Sequence, residues 1–76
     1  MNKARRKQLE EISSKISDVR DELEAIMGDE EEYRENVPEN LQGSERYEIS
    51  DAACSEMQDA LDSLDNAISS VDAARE

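Results

Sequence analysis

The sequence predicts an all-α fold: an antiparallel hairpin of two long helices that self-associates, most simply into a dimeric four-helix bundle. Three observations predict it. Aliphatic residues recur at alternating spacings of three and four in both halves, the period of helices that pack along one stripe. The segment between the halves, NVPENLQGSERYE at residues 36–48, holds the only proline. Seventy-six residues with two tyrosines and no Trp or Phe offer little to bury, and chains this short usually need disulfides, a metal or another chain.

The first helix is expected over about 3–35. Its stripe begins Leu9, Ile12, Ile16, Val19, Leu23, Ile26 and continues in phase through Glu30, Tyr33 and Val37. Gly28 interrupts it only as a weak point, costing about 1 kcal/mol relative to Ala. The connector is expected over about 36–43. Pro38 suits the first position of a short helix, with Asn36 as its cap. Gly43 is expected to take a positive φ and close the turn, and Ser44 to cap the second helix. Val37 and Leu41 should fold back onto the helix ends.

The second helix is expected over about 44–75. Tyr47, Cys54, Met57, Leu61, Leu64, Ile68 and Val71 fill its a and d positions, with Ser50 in the one polar slot. Beside them Ala53, Ala60, Ala67 and Ala74 recur every seven residues. A column of small residues widens the apolar face and lets another backbone approach. The expected oligomer interface is therefore Leu9, Ile12, Ile16, Val19, Leu23 and Ile26 with Ala53, Met57, Ala60, Leu61, Leu64, Ala67, Ile68 and Val71. All 76 residues form one domain.

Charge bounds the function. The chain carries −12 overall, yet Lys3, Arg5, Arg6 and Lys7 make its first eight residues +4. That cluster is expected to clasp Asp72 and Glu76 at the other end of the hairpin. The overall charge excludes direct nucleic-acid binding, which rests on phosphate contacts. No apolar run approaches a membrane span and no signal-peptide core follows the basic start, so a cytoplasmic location is expected. Cys54 is the only cysteine, in keeping with a reducing compartment.

Catalysis finds no support in the residues. There is no histidine, and Cys54 sits in the apolar stripe without a group to activate it. The run GDEEEYRE at residues 28–35 lacks the spacing of a cation loop, and consecutive carboxylates on a helix diverge. No enzyme activity, metal or cofactor is expected. The Asp-rich outer face of the second helix is different, because Asp and Ser are not strong helix formers and local propensity does not explain them. Carboxylate rows on a rod can imitate a nucleic-acid backbone and occupy a basic groove. The expected partner-binding residues are Asp29, Glu30, Glu31, Glu32, Glu35, Asp59, Asp62 and Asp65.

The stretches NKARRK followed by LEEI, EEEYRENVPENLQGSERYE, and ALDSLDNAISSV together resemble small acidic helical-hairpin accessory proteins of phages and mobile elements of Gram-positive bacteria. The likeness runs over nearly the whole chain. It implies a setting in a bacterial host cell in which such proteins bind a host protein, anti-CRISPR inhibitors of host defence being a recurring class. The expected function is then a non-enzymatic acidic binding module. Its most specific form is a phage-type inhibitor competing with nucleic acid for a host defence nuclease with a basic surface. A purely structural oligomerisation scaffold is the alternative. A further one is sequestration of a small nucleotide-like ligand between protomers, near Tyr33, Arg34, Arg46 and Tyr47.

Overall fold

A computed structural model describes residues Met1–Glu76. Helix α1 spans Lys3–Glu35, a single 3-10 turn covers Glu39–Leu41, and helix α2 spans Glu45–Ala74. The two helices pack along each other as an antiparallel hairpin, 60 × 14 × 12 Å overall. Its radius of gyration is 17.4 Å, against about 11 Å for a compact domain of this length. The molecule is a rod, and a rod has surface out of proportion to its core.

Asn2 starts α1: its side-chain Oδ1 accepts a hydrogen bond from the Arg5 backbone N–H at 2.8 Å, satisfying one of the donors a helix start leaves open. Ser44 does the same for α2 through the Tyr47 N–H, at a longer 3.4 Å. Asn36 closes α1 rather than capping the short turn, its N–H donating to the Glu32 and Arg34 carbonyls. Pro38 precedes that turn without any side-chain cap, and Leu41 N–H returns to the Pro38 carbonyl at 2.8 Å. No glycine takes a positive φ. The 3-10 turn reverses the chain within the ordinary right-handed region, so Gly43 is not needed as a left-handed stop. Val37 is half-buried, as expected, but Leu41 stays exposed.

Four side-chain contacts fix the register. Arg75 meets Glu10, Ser13 meets Asp72, Arg20 meets Asp65 and Arg34 meets Asp51. In every pair the two residue numbers add to the same value, so the helices run in step from one end to the other. This register also shows where they stop overlapping. Helix α2 ends level with Glu11, its cap Arg75 with Glu10, and residues 1–8 at the start of the chain extend beyond it, all exposed. Lys3, Arg5, Arg6 and Lys7 form no ion pair within the hairpin; the expected clasp does not form because Asp72 and Glu76 do not reach that far. Arg75 takes up the end of α2 instead, pairing with Glu10 and Asp72.

The seam between the helices follows expectation on α2 and departs from it on α1. Tyr47, Ser50, Cys54, Met57, Leu61, Leu64, Ile68 and Val71 are buried or half-buried. On α1 the half-buried positions are Leu9, Ser13, Ile16, Arg20, Leu23, Met27, Glu30 and Arg34 at 3–4 spacing, with Ser17 and Glu31 beside them. The Leu9, Ile16 and Leu23 column is shared with the predicted stripe. The other predicted column, Ile12, Val19, Ile26 and Tyr33, is turned away and exposed. One helix covers only part of an apolar arc this wide, and in this register Arg20 and Arg34 reach carboxylates on α2 while their stems lie over the seam. Only Ser50, Cys54 and Leu61 are fully buried, which is a small core for 76 residues.

Candidate functional site

In an antiparallel helix pair, the residues flanking the seam on one side of α1 lie beside those flanking it on the same side of α2. The hairpin therefore has two broad faces, and here they differ in kind. One face is polar and closed by its own contacts. Arg20 donates from Nε to Asp65 at 2.7 Å and from Nη1 to Glu24 at 2.6 Å, and those hydrogen bonds hold its guanidinium firmly charged. Arg34 donates to Asp51 at 2.8 Å. The Ser13 hydroxyl donates to Asp72 at 2.8 Å. That bond holds the Asp72 carboxyl below the usual carboxylate range, against partial desolvation and with help from Arg75.

The opposite face is apolar and open. From α1 it takes Ile12, Val19, Ile26 and Tyr33, and from α2 Ile49 and the alanine column. The five large side chains are 43–62 % exposed. Tyr33 and Ile49 line one shallow cleft with Arg46 and Ser50, which places the α1 column and the start of α2 on the same side. Moving one residue along from the ion-pair register sets Ile12 level with Ala74, Val19 with Ala67, Ile26 with Ala60 and Tyr33 with Ala53. Each large residue stands beside a small one, four times over; the large ones are about half exposed, and Ala53 and Ala67 are half-buried. The expected interface residues thus fall into two groups. Leu9, Ile16, Leu23, Met57, Leu61, Leu64, Ile68 and Val71 close the hairpin itself. Ile12, Val19, Ile26 and Ala60 are exposed on the open face, and Ala53 and Ala67 sit half-buried at its margin.

The acidic residues do not converge on one surface. Asp29, Glu32 and Glu35 are exposed along the far edge of α1, and Asp59 and Asp62 along the far edge of α2, on the opposite side of the rod. Asp62 accepts a bond from Gln58. Asp65 is engaged by Arg20 and so is not a free contact residue. Glu30 and Glu31 are half-buried near Cys54. Of the 21 acidic side chains, six lie within 4.0 Å of a cation, namely Glu10, Asp21, Glu24, Asp51, Asp65 and Asp72. The rest face solvent or the seam without a counter-charge.

Cys54 is buried, and desolvation raises its thiol, reinforced by Glu31, Glu30 and Asp51 and opposed by Arg34. No group of three or more acidic or thiol side chains is placed to share a metal ion. The four residues expected to enclose a ligand are divided: Tyr33 and Arg46 line a cleft of about 270 Å³ at the tip with Val37, Pro38 and Leu41, while Arg34 is drawn to Asp51 and Tyr47 enters the seam.

Sequence reasoning missed Ser13, Arg20, Met27 and Arg34 as seam residues and Ile49 as part of the open face; Ser13, Arg20 and Arg34 are the polar ones. A signal existed for those three. Ser13, Arg20 and Arg34 repeat in multiples of seven, as do their partners Asp72, Asp65 and Asp51, so a polar ladder runs parallel to the apolar one. Ile49 lies outside the heptad and only the register recruits it. No helix is long and apolar enough to cross a membrane. The chain matches no known family model, no curated protein and no solved structure.

Proposed function

We propose that this protein is a non-enzymatic binding module, a rigid helical rod whose acidic edges engage a basic surface on a protein partner. The observation that carries the reading is the uncompensated charge of those edges. The internal cations are spent on one face, while Asp59 and Asp62 on α2 and Asp29, Glu32 and Glu35 on α1 have no basic side chain within 4.0 Å. Fixed negative charge along a rod accelerates and orients encounter with a basic groove. The most specific form of the proposal is an inhibitor that occupies the groove of a nucleic-acid-binding enzyme of a bacterial defence system. The residue resemblance to phage accessory proteins suggests that setting.

The test is capture with the tagged protein from a bacterial lysate, followed by elution with salt or with competing duplex DNA or RNA. A nucleic-acid-binding protein released by either competitor is the expected result, with capture lost for the Asp59→Lys, Asp62→Lys pair. Capture that ignores salt, competitor and charge reversal retires the acidic-edge reading.

A second reading, a structural oligomerisation module, is favoured by a separate observation: the open apolar face. Five large exposed side chains on one side of a rod form a continuous hydrophobic strip, and contiguous patches of that kind mark interaction sites. Sedimentation tests it directly.

A further inference from the structure

The open face carries its own description of what covers it. Along α1 the exposed column reads Arg5, Ile12, Val19, Ile26, Tyr33, one residue every seven. It is close to a palindrome about Val19. Laid antiparallel on a copy of itself, Val19 meets Val19, Ile12 meets Ile26, and the Arg5 guanidinium comes over the Tyr33 ring, a favourable cation–aromatic arrangement. The outer rim of the same face repeats the pattern, because Lys15 comes level with Glu22 of the copy and Glu22 with its Lys15.

Charge at the helix ends points the same way. The first turn of α1 has no acidic residue and holds Lys3, Arg5 and Arg6, while its last turns hold Asp29, Glu30, Glu31, Glu32 and Glu35 against Arg34 alone, a net negative end. Both ends carry the sign that the helix dipole disfavours, and, Arg34 apart, none of these residues forms an ion pair in the hairpin. An antiparallel α1–α1 contact brings each basic end near the other chain's acidic end, whose Asp29, Glu32 and Glu35 stay on the outer, solvent-facing edge. It also occupies the overhang: residues 1–8, which extend beyond α2, come to lie along the partner's residues 29–35. A copy turned the other way, tips together, would bring like ends side by side and leave both overhangs bare.

We infer that the occupant of the apolar face is a second copy of this chain, packed antiparallel about a two-fold axis at Val19, with α1 against α1 and the alanine column of α2 against its equivalent. An isologous contact of this kind uses one patch twice. Alanine against alanine lets the α2 backbones approach more closely than the Ile and Val side chains allow α1, within the ordinary range of helix separations. The carboxylates of both outer edges remain in solvent.

This inference rests on the oligomerisation reading, and the experiment separates the two. Sedimentation equilibrium of the unaltered chain should give twice its 8.6 kDa. In a Cys54→Ser background, Val19→Cys should oxidise rapidly to a covalent dimer, while Glu35→Cys should not. A second variant leaves Cys54 untouched. Lys15→Glu should weaken the dimer roughly tenfold by removing two symmetric pairs, and Lys15→Glu with Glu22→Lys should restore it. Lys15 and Glu22 are about 10 Å apart along one helix at 1.5 Å per residue, so the rescue reports a contact between chains. A dimer that cross-links at Glu35→Cys but not at Val19→Cys, or one that Lys15→Glu leaves unchanged, overturns the antiparallel arrangement and leaves the oligomerisation reading standing. A monomer at ~100 μM, a concentration at which a micromolar dimer would be nearly complete, overturns both.

Discussion

The two broad faces of the hairpin share their helices and their register, yet only one is finished by the chain itself. On the polar face, Arg20, Arg34, Arg75 and Ser13 each find a carboxylate across the seam. On the apolar face, Ile12, Val19, Ile26, Tyr33 and Ile49 remain 43–62 % exposed. The polar contacts are exposed pairs, individually weak and screened by salt, and they are made in the same rotation of α1 that places Leu9, Ile16, Leu23 and Met27 on the seam. That rotation leaves the neighbouring column outside.

The largest expected effect comes from making the same kind of change on the two sides of this divide. Leu61 is 2 % exposed, and Leu61→Ala should cost about 3 kcal/mol through lost burial and the cavity left behind. Ile26→Asp removes a side chain that already faces solvent in the hairpin, where such a change is ordinarily within about 0.5 kcal/mol. If a second chain covers that face, folding is coupled to association and the melting midpoint rises with protein concentration. Leu61→Ala should lower the midpoint and keep that dependence. Ile26→Asp should abolish the dependence. Circular dichroism melts at two concentrations a hundredfold apart separate the outcomes, and a concentration-independent wild type would mean that the faces do not differ as described.

A smaller effect tests the polar face through Asp72. Its carboxyl is held below the ordinary value of 3.8, first by the Ser13 hydroxyl and then by Arg75. The folded state therefore binds a proton less readily than the unfolded chain. The resulting stabilisation is fully present above the ordinary value and is lost as pH falls through the lower folded one. Asp72→Asn should lower the midpoint at neutral pH, and the gap to wild type should close as the solution is acidified below 3.8. Ser13→Ala should show the same trend with a smaller amplitude. A gap that persists into acid would assign Asp72 a packing role instead.

Much of the fold was legible because the 3–4 spacing of aliphatics is the direct imprint of a helix packed along one line. The helix limits follow from Asn2, Ser44 and Pro38, whose backbone and side-chain chemistry act locally. Rotation of α1 was not legible in that stripe, since Ile12 and Ser13 differ by one position and hydrophobicity alone favours Ile12 for the seam. In the observed rotation Arg20 and Arg34 meet Asp65 and Asp51, contacts that exist only once the chain has reversed. The end-to-end clasp failed for a related reason. Equal helix lengths suggested flush ends, but the connector lets α2 begin beyond the end of α1, and the whole register shifts toward the tip. As for the site, the acidic residues were identified individually, whereas their division between opposite edges follows from the rotation.

The smallest expected effect concerns the edge of α1 that belongs to neither face. Gly28 lies in the interior of a 33-residue helix, two turns before its end; its φ is not positive, and a Cβ built there meets nothing within 4 Å. Glycine in such a position costs the helix backbone entropy that alanine does not. Gly28→Ala should therefore raise stability by up to about 1 kcal/mol. Its value lies in position, because Gly28 is exposed on the side of α1 away from Val19 and Ile26. In the antiparallel dimer it faces solvent, so the substitution should raise the melting midpoint without changing the concentration dependence. An altered dimerisation constant, measured by sedimentation on wild type and variant side by side, would instead show that this edge is in contact. The second chain would then be seated over the carboxylates rather than over the aliphatic ridge.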